Sequence, residues 1–146
     1  MIKAYYDANY LFKLQCVEHG TVEVREHAAT VNRLCTAAHG RAEYASAAFR
    51  KFREGAATKR DYQLAILQIQ ADAATGNLQF LPLTDSILNR IEAAFASAPA
   101  TLYLRAADAL HLATAAEHGF AEIYSNDRHL LAAAPAFGLK GINVIS

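Results

Sequence analysis

The sequence predicts an α/β fold, a three-layer α/β/α sandwich in which a short parallel sheet lies between two layers of helices. Short apolar runs alternate with longer amphipathic stretches along the 146 residues, a pattern typical of βαβ units and parallel sheets. Hydrophobic residues make up 53% of the chain, and the abundance of alanine among them favours closely packed helices. Neither a linker nor a repeat interrupts the sequence, so we expect residues 1–146 to form a single domain.

The N-terminal half begins with a predicted strand at residues 2–6, an apolar run rich in β-branched and aromatic side chains that stops at Asp7. In the stretches that follow, apolar side chains recur three and four residues apart, and a glycine lies near the end of several of these stretches. These patterns predict helices at 9–18, 21–33 and 38–53, with a short strand at 34–36.

The C-terminal half continues the alternation. Thr58 and Thr84 are typical helix N-caps, Gly76 is a typical helix end, and Pro99 interrupts the chain. The predicted elements are a helix from Thr58 to 75, a strand at 78–83, a helix from Thr84, a helix at 104–118, a strand at 122–124, a short helix at 128–134 and a strand at 142–145.

Charge and composition restrict the possible functions. The net charge is zero, with 14 basic and 14 acidic residues, which argues against a protein that binds nucleic acid through a general basic excess. A local basic excess between residues 41 and 61 is compatible with a phosphate backbone or with a solvated helix end. No apolar run is long enough to span a membrane and no signal peptide is recognisable, so we expect a cytoplasmic protein without a membrane partner.

Two acidic residues stand at the ends of predicted strands. Asp7 directly follows the first strand, and Asp127 lies shortly after Tyr124. Because ligands of open parallel sheets bind beyond the carboxyl ends of the strands, both carboxylates are expected to face one crevice. The alternative is that each aspartate simply caps the helix that follows it.

Two further acids lie on predicted helices. Asp108 has the apolar neighbours Leu104 and Leu112 on its helix face, and a buried carboxylate must be paired, protonated or bound to a metal. A salt bridge with Arg105 or His111 is the alternative. Glu43 lies near the start of a helix, where acids are also common on solvated faces.

Four segments resemble the PIN-domain family, in particular the VapC-type ribonuclease toxins of bacterial toxin–antitoxin pairs. The similar segments are 5–14 (YYDANYLFKL), 42–47 (AEYASA), 105–115 (RAADALHLATA) and 124–131 (YSNDRHLL). One departure is Asn9, where the family usually has Ser or Thr; we expect it to alter the tuning of the site and not to abolish activity.

The resemblance implies a PIN-like nuclease domain over residues 1–146 that hydrolyses RNA phosphodiesters, with tRNA or rRNA as substrate. Its catalytic and metal-binding residues are Asp7, Glu43, Asp108 and Asp127, and such an oxygen-rich site suits Mg²⁺, with Mn²⁺ as a substitute. It also implies a small cognate antitoxin protein and a homodimer. We expect the antitoxin to lie across the apolar grooves of the first helices. The exposed apolar stretch of helix 9–18 is a candidate contact for the homodimer.

Two alternatives remain open from the sequence. A phosphatase of the haloacid-dehalogenase kind also has an Asp after its first strand, but it needs a second Asp where Asn9 stands. The other alternative is a catalytically silent PIN-like module that binds RNA or a protein.

Overall fold

A computed structural model describes all 146 residues as five strands, seven α-helices and one 3-10 turn. The strands are β1 (Lys3–Tyr5), β2 (Arg33–Ala37), β3 (Leu78–Leu81), β4 (Glu122–Tyr124) and β5 (Lys140–Ile142). The helices are α1 (Ala8–Gln15), α2 (Thr21–Ala28), α3 (Gly40–Arg53), α4 (Lys59–Thr75), α5 (Asp85–Ser97), α6 (Ala106–Glu117) and α7 (Arg128–Ala133), with the 3-10 turn at Ala134–Phe137. No helix is both long enough and apolar enough to cross a membrane.

The strands form a parallel sheet whose order reverses at its centre. β2 pairs with β1 and β3, and β4 pairs with β5. A parallel bridge between Tyr6 and Tyr124 joins the two sets, and the amide of Asp7 donates to the carbonyl of Tyr124 at 3.1 Å. The order is therefore β3-β2-β1-β4-β5, and the reversal lies between β1 and β4, where α/β proteins open a crevice.

Two apolar cores lie on opposite faces of this sheet. Along β1, Tyr5 packs into one core with α5, α6 and α7, whereas Ala4 and Tyr6 pack into the other with α1, α2, α3 and α4. This alternation follows from the two-residue period of a strand. The structure thus confirms the predicted three-layer α/β/α architecture.

The last strand is shifted relative to its prediction at 142–145. β5 is fixed by its register with β4, in which Glu122 lies opposite Lys140. The apolar side chains of Val144 and Ile145 pack instead against the core beneath α1. These two side chains are apolar because they pack against this core, although neither residue belongs to a strand.

The first helix also differs from its prediction. It ends at Gln15, and Tyr10, Leu11 and Phe12 are each no more than 3% exposed. The expectation that the apolar stretch of helix 9–18 is exposed is therefore wrong for these three residues, because α2 and α3 pack against α1. Val17, beyond the end of α1, is 83% exposed.

Candidate active site

A cleft of about 410 Å³ contains all four acids singled out from the sequence. Asp7 follows β1 and Asp127 follows β4, whereas Glu43 comes from α3 and Asp108 from α6. The two helices belong to opposite layers of the sandwich. The cleft therefore combines residues from the sheet centre and from both helical layers.

Asp7 is both the N-cap of α1 and a buried wall of the cleft. One carboxylate oxygen accepts a hydrogen bond from the amide of Tyr10 at 2.9 Å, and the other accepts from the hydroxyl of Ser125. The residue is only 4% exposed. Burial raises the pKa of Asp7, although these two hydrogen bonds oppose the shift. The capping and cleft roles proposed as alternatives thus coexist in one side chain.

Ser125 links the two acids at the strand ends, and sequence reasoning did not single it out. Its hydroxyl donates to Asp7 and accepts from the amide of Asp127 at 2.9 Å. The side chain is fully buried. Its place immediately after β4, at the point where the strand order reverses, was the available signal.

Asp127 also combines a capping role with a position in the cleft. Its Oδ1 accepts from the amides of His129 and Leu130 at the start of α7, at 2.8 and 3.3 Å. Its Oδ2 lies 3.3 Å from Arg105. The helix cap fixes the carboxylate and leaves one oxygen directed to its charged neighbour.

Arg105 bridges two of the acids. Its guanidinium lies 3.2 Å from Asp108 and 3.3 Å from Asp127. Asp108 is 8% exposed, so the salt bridge considered from the sequence is present. The Arg105 side chain is 55% exposed, and an ion pair with so exposed a partner contributes little to stability.

Glu43 is held by histidines. Its Oε1 lies 2.5 Å from Nε2 of His111 and 3.2 Å from Nε2 of His39. Burial alone would raise the pKa of Glu43, but the hydrogen bond from His111 and the neighbouring positive charges outweigh it and lower this pKa. His111, expected beside Asp108, is instead a partner of Glu43.

A buried hydrogen-bond chain orients His111. The amide of Ala37 donates to the phenol oxygen of Tyr5 at 2.8 Å, and that oxygen lies 2.7 Å from Nδ1 of His111. Burial raises the pKa of Tyr5 well above its ordinary value, so the phenol keeps its proton. The carboxylate of Glu43 can only accept, so Nε2 of His111 carries a proton and donates to it. In a neutral ring Nδ1 then accepts from the hydroxyl of Tyr5.

Basic and polar side chains complete the cleft. Arg50 lines it together with Arg105 and the exposed Asn9. Two other basic residues of the predicted stretch have partners outside the cleft, since Lys51 pairs with Glu18 and Arg41 lies over the ring of Phe80. The cleft thus joins carboxylates with two guanidinium groups.

The donor set fits a hard divalent cation. Carboxylate oxygens are the ligands that Mg²⁺ and Mn²⁺ prefer. Asp7 is buried without a salt-bridge partner and has a raised pKa, so a nearby cation would offset the cost of burying its charge.

Comparison with known proteins identifies the family. The model of the PIN domain matches residues 4–135, a stretch that includes all four acids and runs from β1 into the 3-10 turn. Among curated proteins, none matches this chain.

Proposed function

The chain belongs to the PIN domain family, a family of metal-dependent nucleases, and on this premise we propose that it is an Mg²⁺-dependent endoribonuclease that also accepts Mn²⁺. The observation that carries the proposal is the convergence of Asp7, Glu43, Asp108 and Asp127 on one cleft where the strand order reverses. The haloacid-dehalogenase alternative is withdrawn, because the family is a different one.

In this proposal Asp7 and Asp108 hold the cation, and Glu43 and Asp127 bind it directly or through water. When bound, the ion supplies an activated water and neutralises charge that develops on the phosphate. Ser125 fixes the separation of Asp7 and Asp127 through its two hydrogen bonds. His111 fixes the orientation of Glu43.

Two arginines in the cleft can bind the negatively charged backbone of a nucleic acid. Arg50 and Arg105 line the same cavity as the acids, and guanidinium groups bind phosphate oxygens through paired hydrogen bonds. A protein with zero net charge can bind RNA through these two arginines, because only the cleft has to attract the phosphate backbone. We propose that the phosphate flanking the cleaved bond contacts them.

The resemblance of the four acidic segments to VapC-type toxins supports a narrower proposal. The chain would be the toxin of a toxin–antitoxin pair, acting in the cytoplasm on tRNA or rRNA and inhibiting translation. A small antitoxin would neutralise it, and the active form would be a homodimer. The partner surface would have to lie away from the buried apolar face of α1.

A silent binding module remains the competing function. Arg105 already places a positive charge between Asp108 and Asp127, as an RNA-binding protein without a metal would need. Cleavage and binding assays with the same RNA distinguish the two functions.

The test is metal-dependent cleavage of total RNA. We expect the wild type to cut RNA with Mn²⁺ or Mg²⁺, and Asp7→Asn to be slower by about a hundredfold or more, because a catalytic cation supplies several kcal/mol. Glu92→Gln, an exposed acid on α5, is the matched control and should cut as the wild type does. Equal cleavage by the wild type and Asp7→Asn would refute the nuclease proposal, and RNA binding without any cleavage would establish the silent module.

A further inference from the structure

A second group of potential metal ligands lies beside the four acids. His39, Glu43 and His111 each offer one ligand atom, and these atoms all lie within 4.8 Å of one another. His39 precedes α3, Glu43 lies one turn further on, and His111 comes from α6. This group could not be predicted from sequence spacing, because 68 residues separate Glu43 from His111.

We propose that His39, Glu43 and His111 form a binding site for a borderline divalent cation such as Zn²⁺, which adjoins the carboxylate position proposed for Mg²⁺ and shares only Glu43 with it. Two imidazoles and one carboxylate, with water as a fourth ligand, form a donor set that Zn²⁺ and Co²⁺ favour over Mg²⁺. Ligand atoms about 2.1 Å from a tetrahedral ion lie about 3.4 Å apart. The Glu43–His39 separation of 3.2 Å is close to this value, whereas the Glu43–His111 separation of 2.5 Å must widen by about 0.9 Å.

The hydrogen bonds around His111 can rearrange to accept an ion. Nε2 must present its lone pair, so the ring proton moves to Nδ1 and is donated to the oxygen of Tyr5. The Tyr5 hydroxyl then needs another acceptor, and the neighbouring Thr36 hydroxyl oxygen is buried without a hydrogen-bond partner. Tyr5 then accepts from Nδ1 and becomes the supporting hydrogen-bond partner that a ligating histidine requires.

The other two ligands are accessible. To bind an ion, His39 must give up its hydrogen bond with the carbonyl oxygen of Ala107, which lies 3.1 Å from its Nε2. Ala107 is exposed, so water can replace His39 at this carbonyl. The side chains of His39 and Glu43 are 24% and 36% exposed. Glu43 and His111 also line the cleft, so an ion can enter from it.

The test is binding of Zn²⁺ and Co²⁺ to protein purified without a histidine tag. Competition with a chromophoric chelator measures Zn²⁺ affinity, and visible absorption of Co²⁺ reports nitrogen ligands in a low-coordinate site. We expect one tightly bound ion per chain that millimolar Mg²⁺ does not displace. His39→Gln should weaken binding by at least about tenfold, since even outer-shell partners of metal sites are worth 10- to 100-fold.

Two variants serve as controls. His118→Gln changes an exposed histidine and should bind as the wild type does, as should Asp7→Asn, which alters only the carboxylate position. The site would be overturned by unchanged affinity in His39→Gln, or by an equal loss in His118→Gln or Asp7→Asn. His39 is partly exposed, so its variant keeps the test valid if His111→Gln does not fold. This binding assay is independent of RNA cleavage, so either proposal can fail without the other.

Discussion

Single side chains in the cleft perform two structural tasks at once. Asp7 and Asp127 each cap a helix and also face the cavity, and Ser125 joins them. A cap restrains a carboxylate through backbone amides, which move little. The geometry of these acids is therefore built into the fold before any ligand arrives.

Ser125→Ala is expected to lower the free energy of unfolding by about 1–3 kcal/mol, because it leaves a buried carboxylate oxygen of Asp7 and the partly buried amide of Asp127 without this partner. Urea denaturation measures the change. Ser46→Ala removes an exposed hydroxyl from the cleft wall and should stay within about 0.5 kcal/mol of the wild type. Equal stability of the two variants would show that Ser125 does not hold the acids.

Arg105→Gln is expected to increase the affinity of the acids for Mn²⁺, because it removes the positive charge now paired with Asp108 and Asp127. Its effect on metal-free stability should be small, as the guanidinium is largely exposed. Titration with Mn²⁺ checks the first point, and Arg90→Gln, which breaks an ion pair with Glu117 outside the cleft, is the control. Weaker Mn²⁺ binding in Arg105→Gln would contradict this account.

At the level of elements, α2 is joined to the sheet centre through His27. Its ring stacks on Tyr124 of β4 with centroids 4.3 Å apart, and its Nδ1 lies 2.5 Å from the hydroxyl of Tyr6. Burial lowers the pKa of His27, with a small opposing effect from Glu122. The fold therefore favours the neutral ring.

The stability of the protein is expected to depend on this histidine as the pH falls. Below about pH 6.5 the unfolded chain binds the proton more readily than the folded one, so the free energy of unfolding decreases as the pH drops through that value toward the lowered pKa. Chemical denaturation between pH 5 and pH 8 should show a shallower slope in His27→Gln than in the wild type. His118→Gln, at an exposed position, should keep the wild-type slope, and identical slopes in all three proteins would exclude His27 as the cause.

At the level of the whole molecule, ligand binding should stabilise the fold through the acids. Excess Mg²⁺ or Mn²⁺ is expected to raise the melting temperature of the wild type, since an ion at a hundred times its Kd adds about 2.7 kcal/mol. Asp108→Ala should show a smaller rise, whereas Asp72→Ala, outside the cleft, should match the wild type. The same rise in Asp108→Ala would remove Asp108 from the metal site.

The three-layer architecture could be predicted from the sequence, but the contacts between elements that are distant in the sequence could not. Alternating apolar runs predicted the parallel sheet, and Asp7 and Asp127 could be placed at strand ends because a strand end is a local feature. The pairing of Glu43 with His111 could not be foreseen, because it depends on how α3 and α6 approach each other across the sheet. The last strand was misplaced for the same reason, since its register is set by β4.

The sheet order has a consequence for the moment at which the cleft comes into existence. A chain synthesised only as far as α5 already contains Asp7 and Glu43, but Asp108, Ser125 and Asp127 have not yet been made. β1 then lacks its neighbour β4, and Asp7 lacks the hydroxyl that closes its pocket. The cleft can be completed only after Asp127 has left the ribosome, so a shorter nascent chain cannot yet bring the four acids together.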